Sequence, residues 1–377
     1  MASMETHADF LAAPKNPPAL NIPHSDSIAR VSIINSTSDL QAPLEVFMGP
    51  IQEGHTLNCP AFSFLIEHSS GRKLLFDLGT RKDWENFPPA ILGLVKQPGW
   101  GIKVEKDVAQ ILQENGIDAA GGAIEAIIWS HWHYDHIGDP STFPGSTALI
   151  VGPGVKEAFL PAYPANPESP LLETDFAGRE LKVVNFDLAP NRLELGRFKA
   201  VDFFGDGSFY LIDSPGHAIG HLCGLARVSN EGNGTFVFMG GDAAHHGGMF
   251  RPSEYLPLPK TFTPSIHRSY QGSCPGHLFE KIHPNKSAKE PFYRPSESMP
   301  VNYTQAIHTI EKMEEFDAAD NVFVVIAHDA SLLREEVGIE WFPYGTLKDW
   351  RRNDLASKAR WGFLKDFEHA VDAASCG

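Results

Sequence analysis

The run Ser130, His131, Trp132, His133, Tyr134, Asp135, His136 constrains this chain more than any other stretch. Three histidines and an aspartate crowd into six residues, directly behind the apolar run 126–129 and ahead of Gly138, Asp139 and Pro140. The apolar run reads as a buried strand and the Gly-Asp-Pro triplet as a loop, so the polar cluster sits at a strand end. On an extended chain, residues two apart point the same way, and His131 and His133 can therefore grip one cation. A turn after them sends Asp135 and His136 toward a second. Imidazole and carboxylate both suit zinc, and four such residues at this spacing have little structural use. A polar loop whose histidines only satisfy backbone groups is the plainer alternative.

With 377 residues, the chain suffices for one large domain or two modest ones. Hydrophobic residues at 42% and charged residues at 21% fit an ordinary globular protein. The 47 acidic residues outweigh 31 basic ones, for a net charge of −16, which disfavours nucleic acid and anionic membranes as partners. Two divalent cations would offset about four of those negatives. Cys59, Cys223, Cys274 and Cys376 have no paired spacing and suggest free thiols in a reducing compartment. Residues 1–23 carry no basic-then-apolar leader, and no apolar run reaches bilayer length. The expectation is a cytoplasmic protein that acts on a small molecule. Its oligomeric state is left open, a homodimer included.

Residues 1–25, rich in Ala, Pro and Asn, read as a loosely held arm, and 26–377 as a single domain. Strands are expected at 29–35, 61–66, 73–77, 148–151, 181–188, 208–213, 222–228, 235–239 and 321–327. Helical faces recur in Val104, Val108, Ile111 and Leu112, and in Ala306, Ile310 and Met313 behind a capping Asn302. Two aromatic, irregular segments interrupt this pattern. One spans 80–101 with Trp84 and Phe87. The other is a Pro-rich insertion at 250–300 with Phe250, Tyr255 and Phe262. Each is expected to wall a substrate pocket. The tail, with Trp350, Trp361, Phe363 and Phe367, reads as a helical cover.

The His-x-His-x-Asp-His run resembles the signature of the metallo-β-lactamase superfamily, and its intact Asp135 resembles the two-metal branch that includes acyl-homoserine lactonases. The resemblance implies an α/β fold, an αββα four-layer sandwich. It also implies that His131, His133 and His217 hold one zinc, that Asp135, His136 and His328 hold a second, and that Asp242 bridges them. Two Zn2+ per chain would be the cofactor, although such ligands also accept other divalent metals. Asp77, in a strand ending Asp-x-Gly, would orient a ligand histidine. The implied chemistry is opening of a lactone or related cyclic carbonyl compound by a hydroxide shared between the metals, with Asp135 passing the proton to the leaving group. A thioesterase or a lactamase is the alternative. The lactonases carry a tyrosine three residues after the bridging aspartate, and here that position is His245. An imidazole there could donate the same hydrogen bond to the substrate carbonyl.

Overall fold

The structure, a computed structural model, describes residues 9–50 and 56–375. Two sheets form its centre. The first has seven strands, in the order Gly101–Val104, Ala29–Pro43, Thr56–His68, Lys73–Phe76, Ala126–Ile128, Ala148–Val151 and Leu181–Val183. Pairing is antiparallel up to Lys73–Phe76 and parallel beyond it. The second sheet has six strands, in the order Val322–Val325, Thr235–Met239, Leu222–Ser229, Phe209–Asp213, Phe198–Asp202 and Arg192–Leu195.

Strand periodicity explains why these sheets stack in four layers. Alternate residues of a strand face opposite sides, and here both sides are apolar. Leu74 and Phe76 of the first sheet meet Leu211, Val237, Met239, Phe323 and Val325 of the second in the inter-sheet core. Their neighbours turn outward. Leu75, Ile127 and Leu149 pack under the helix Val108–Glu114 through Val108, Ile111 and Leu112. On the far side, Ile212, Phe236 and Phe238 pack under the helix Tyr303–Asp317 through Ile310, Met313 and Phe316. The resulting order is helix, sheet, sheet, helix, the αββα sandwich. Asn302 caps that last helix by accepting from the amide of Gln305.

Several elements differ from the expectation. The first strand runs on to Pro43 through an irregularity between Asn35 and Asp39, where Thr37 turns left-handed at φ 60°. Val104 ends a strand rather than starting the helix. The strand expected over 181–188 stops at Val183, and the hairpin Arg192–Leu195 with Phe198–Asp202 follows it at the sheet edge. Residues 1–8 of the arm lie outside the described residues. Its remainder is seated rather than loose: Leu11 N–H donates to Leu258 O, Lys15 N–H to Glu254 O, and Leu20 and Ile22 pack on the core.

The insertion at 250–300 contributes largely to a core. Phe250, Leu258, Phe262, Phe279 and Phe292 sink into one core with Trp361, Phe363, Leu364 and Phe367 of the C-terminal cover. Insertion and cover thus close over the outer face of the second sheet together. Among the described residues no helix is long and apolar enough to cross a membrane.

Candidate metal centre

The histidines and aspartates singled out in the sequence come from five strand ends of both sheets and meet at one edge of the sandwich. Past Ile128, the amide of Trp129 still bonds Ile150 O, after which the chain leaves the sheet and turns into the short helix Tyr134–Ile137. His217 follows the strand Phe209–Asp213, Asp242 follows Thr235–Met239, and His328 follows Val322–Val325. Two close approaches require glycine. Gly216 lies against the start of the helix Tyr303–Asp317, where a Cβ would come within 2.1 Å of Ala306 N. Gly241, at φ 49°, has Ser130 Cβ 2.9 Å from where its own Cβ would sit.

Two groups could each hold a cation: His131, His133, His217 and Asp242 form one, and Asp135, His136 and His328 the other. His217 Nε2 lies 3.1 Å from both His131 Nε2 and His133 Nδ1. Asp242 divides its oxygens between the groups. Its Oδ2 is 3.6 Å from His131 Nε2 and 3.4 Å from His217 Nε2, while its Oδ1 is 3.1 Å from His136 Nε2 and 3.0 Å from His328 Nε2. Asp135 Oδ2 lies 3.5 Å from His328 Nε2, and its Oδ1 3.9 Å from His136 Nε2.

These separations fit a metal. Nitrogen ligands about 2.0–2.1 Å from a tetrahedral zinc stand about 3.4 Å apart. Among the described residues, the buried His136 Nε2 and Asp242 Oδ1 have no hydrogen-bond partner of their own, a costly state unless a cation satisfies them.

Groups behind the cluster fix which nitrogen faces inward. Asp77 Oδ2 accepts from His136 Nδ1 at 2.9 Å, and Asp77 Oδ1 accepts from Ser130 N–H at 2.6 Å. Pro60 O accepts from His328 Nδ1 at 2.6 Å. In the neutral form that can hold a metal, both rings therefore carry their proton outside and aim a Nε2 lone pair inward. Asp77 itself sits at φ 60°, its amide held by Ile128 O.

Burial pushes the His131 and His217 imidazoles well below their ordinary range, and takes His133 to about 4. These three stay neutral, as metal ligands must. For His136 and His328 burial acts the same way, but the facing carboxylates, Asp242 foremost, prevail and hold both up. Asp242 resists its burial because His136, His328 and His245 keep it ionised, well below the usual carboxylate range. Protons on the second group thus balance the carboxylates where a divalent cation could do so.

His245 is buried beside this cluster, its Nε2 3.3 Å from Asp242 Oδ2. Among the described residues, neither of its ring nitrogens has a hydrogen-bond partner. Its ring lies 4.9 Å from that of His217 and stacks 5.9 Å from that of His328.

The aromatic residues expected near the site divide. Phe87 packs edge-on against Tyr134 at 5.7 Å, in a small cluster with Trp84 and Trp100, so the segment 80–101 backs the histidine run. Among the described residues, the rings of Phe250, Tyr255 and Phe262 make no contact with the rings of the cluster histidines. The Phe250 ring lies under the Arg251 guanidinium, and Phe262 packs on Phe279 and Trp361. Tyr255 lines a cleft of about 350 Å³ with Arg197, Met249, Lys289, Arg294 and Glu314. The residue just before the insertion and a pair near its far end lie against the surroundings of the site. Met249 Sδ accepts from the His245 amide. At the other end Arg294–Pro295 pairs with Met48–Gly49, next to Phe47. Phe47, which sequence reasoning missed, sets its ring 4.8 Å from His245 and 6.0 Å from Trp100.

Residues 57–274, more than half of the chain, match the metallo-beta-lactamase superfamily. Gamma-lactamase FDB1 of Fusarium pseudograminearum is 44% identical over 93% of this chain and 85% of its own length. Metallo-hydrolase mfmC of Annulohypoxylon moriforme is 42% identical over 95% of this chain and 92% of its own. A solved N-acyl homoserine lactone hydrolase, with N-hexanoyl-L-homoserine at its catalytic metal centre, shares the fold at a TM-score of 0.53, covering 85% of this chain and 99% of that one at 17% identity. Fold, sequence and the meeting of histidines and aspartates at the strand ends agree: this chain belongs to the metallo-beta-lactamase superfamily of hydrolases.

Proposed function

We propose that this protein is a two-zinc hydrolase that opens a small cyclic carbonyl compound, a γ-lactam or a lactone. The observation that carries the reading is Asp242, which offers one oxygen to each of two histidine groups. The γ-lactam is supported by the 44% identical relative that bears that name, and the lactone by the more distant lactonase likeness of fold. The setting is proposed to be cytoplasmic.

In this reading His131, His133 and His217 hold one metal, Asp135, His136 and His328 the other, and Asp242 both. Bound there, the pair would supply a water acidified toward neutrality and a polarised carbonyl. The protein does the rest. Asp77 and Pro60 keep His136 and His328 in the tautomer that presents Nε2. Asp135, the one carboxylate of the cluster that is partly exposed, is placed to pass a proton to the departing amide or alkoxide. His245 donates from Nε2 to the substrate carbonyl oxygen and to the charge that grows on it. Phe47 and Trp100 give the ring an apolar wall and keep bulk water from that oxygen.

Purified protein assayed against matched γ-lactams, γ-lactones and thioesters tests this. Turnover of a cyclic amide or ester that chelator abolishes and zinc restores is the expected result. Hydrolysis of the open-chain thioesters alone would transfer the reading to a thioesterase.

A further inference from the structure

His221 lies four residues past His217, fully buried, and belongs to neither cation-binding group. Its ring is held at both ends. Nε2 accepts from the backbone amide of Asp242 at 3.0 Å. Nδ1 donates to the carbonyl of Ser214 at 3.0 Å, with Ser214 Oγ 2.8 Å away. An amide can only donate and a carbonyl can only accept, so the contacts specify one neutral tautomer, with the proton on Nδ1. Burial favours the same state, taking the imidazole to about 4.

The surrounding geometry makes this contact hard to replace. Gly241 passes so close that a Cβ there would meet His221 Nε2 at 3.0 Å, so the Asp242 amide is pressed onto the ring. The next residue, Leu222, donates its amide to Ser130 O of the histidine run. The His221 ring also lies 5.2 Å from that of His131 and 5.5 Å from that of His217. One side chain therefore joins the turn bearing His217 to the strand end bearing Asp242.

We propose that His221 is a positioning residue for the shared carboxylate: by gripping the Asp242 amide it sets where the two Asp242 oxygens stand between the histidine groups. This rests on the reading of Asp242 as a ligand to two metals. His221 never touches substrate in this account.

Two substitutions separate the ends of the ring. His221→Gln keeps an acceptor at about the reach of Nε2, toward the Asp242 amide. His221→Asn is one methylene shorter and keeps only a group near Ser214. Zinc affinity is measured by competition with a chromophoric chelator, and the melting temperature of the metal-free protein is recorded alongside. His221→Asn should bind zinc about 10–100-fold more weakly, with His221→Gln close to the parent in both zinc affinity and metal-free melting, and the metal-free His221→Asn form somewhat lower because the Asp242 amide loses its acceptor. Parent-like zinc affinity in His221→Asn would overturn the proposal. So would equal losses in both variants accompanied by a lower metal-free melting temperature, since that marks a packing role. A parent protein that takes up no zinc would instead sink the two-metal reading, and this inference with it.

Discussion

Asp77 grips His136 from behind, with its Oδ2 2.9 Å from His136 Nδ1 while its other oxygen holds the amide of Ser130. Asp77 follows the strand Lys73–Phe76, and His136 lies in the short helix beyond the neighbouring parallel strand Ala126–Ile128, so the contact ties the floor of the cluster to its opening motif. An asparagine at this position could still accept from Ser130 but would present an N–H to His136. The imidazole would then have to move its proton to Nε2, the nitrogen that faces the cluster. Asp77→Asn should therefore weaken binding of the second metal by about 10–100-fold. Isothermal titration with zinc checks this, and two unchanged binding steps would contradict it.

His245 is buried, and among the described residues neither of its nitrogens finds a hydrogen-bond partner, an expensive arrangement unless a ligand uses one. A donor lost from such a position typically costs about 100-fold or more in turnover. His245→Ala should fall by that order, whereas His245→Tyr, which restores a donor of similar reach, should retain more activity. Turnover at saturating substrate, with metal content equal in both variants, measures the difference. Near-parental turnover in His245→Ala would remove His245 from the chemistry.

Glu314, half-buried beside the cleft that Tyr255 lines, is pushed up to about 8 by burial and by the nearby charges of Glu311 and Asp317. A folded value above the unfolded one means that the protonated acid favours the fold. That contribution is complete below the unfolded value of about 4.3 and is lost as pH climbs through about 8. Glu314→Gln, neutral throughout, should melt like the parent at about pH 4 and higher than the parent at about pH 9. Melting curves at the two pH values decide it, and a variant that loses stability with pH as steeply as the parent would contradict the assignment.

What could be read from the sequence was local. A strand that ends in a histidine or an aspartate declares itself through an apolar run, and the cluster residues His131 to His136, His217, Asp242 and His328 all have that signal. Alternation also marks the hairpin at 192–202, where Leu193, Leu195, Phe198 and Ala200 interleave with Arg192, Glu194 and Lys199, but the charges of an edge strand weaken the signal, and no strand was expected there. The insertion at 250–300 carries no periodicity because its order comes from distant partners, such as Phe262 on Trp361 and Phe292 on Phe367. The Phe47 contact with His245 crosses much of the chain, through a two-residue pairing of Arg294–Pro295 with Met48–Gly49 that no window of sequence reveals.

The shared carboxylate is the centre of the account, and metal stoichiometry tests it most directly. Elemental analysis of protein purified without chelator should find about two zinc equivalents per chain, and Asp242→Ala should lose at least one of them, because a ligand to both ions is removed. A reproducible absence of metal in the parent, or two equivalents held as tightly by Asp242→Ala, would contradict it.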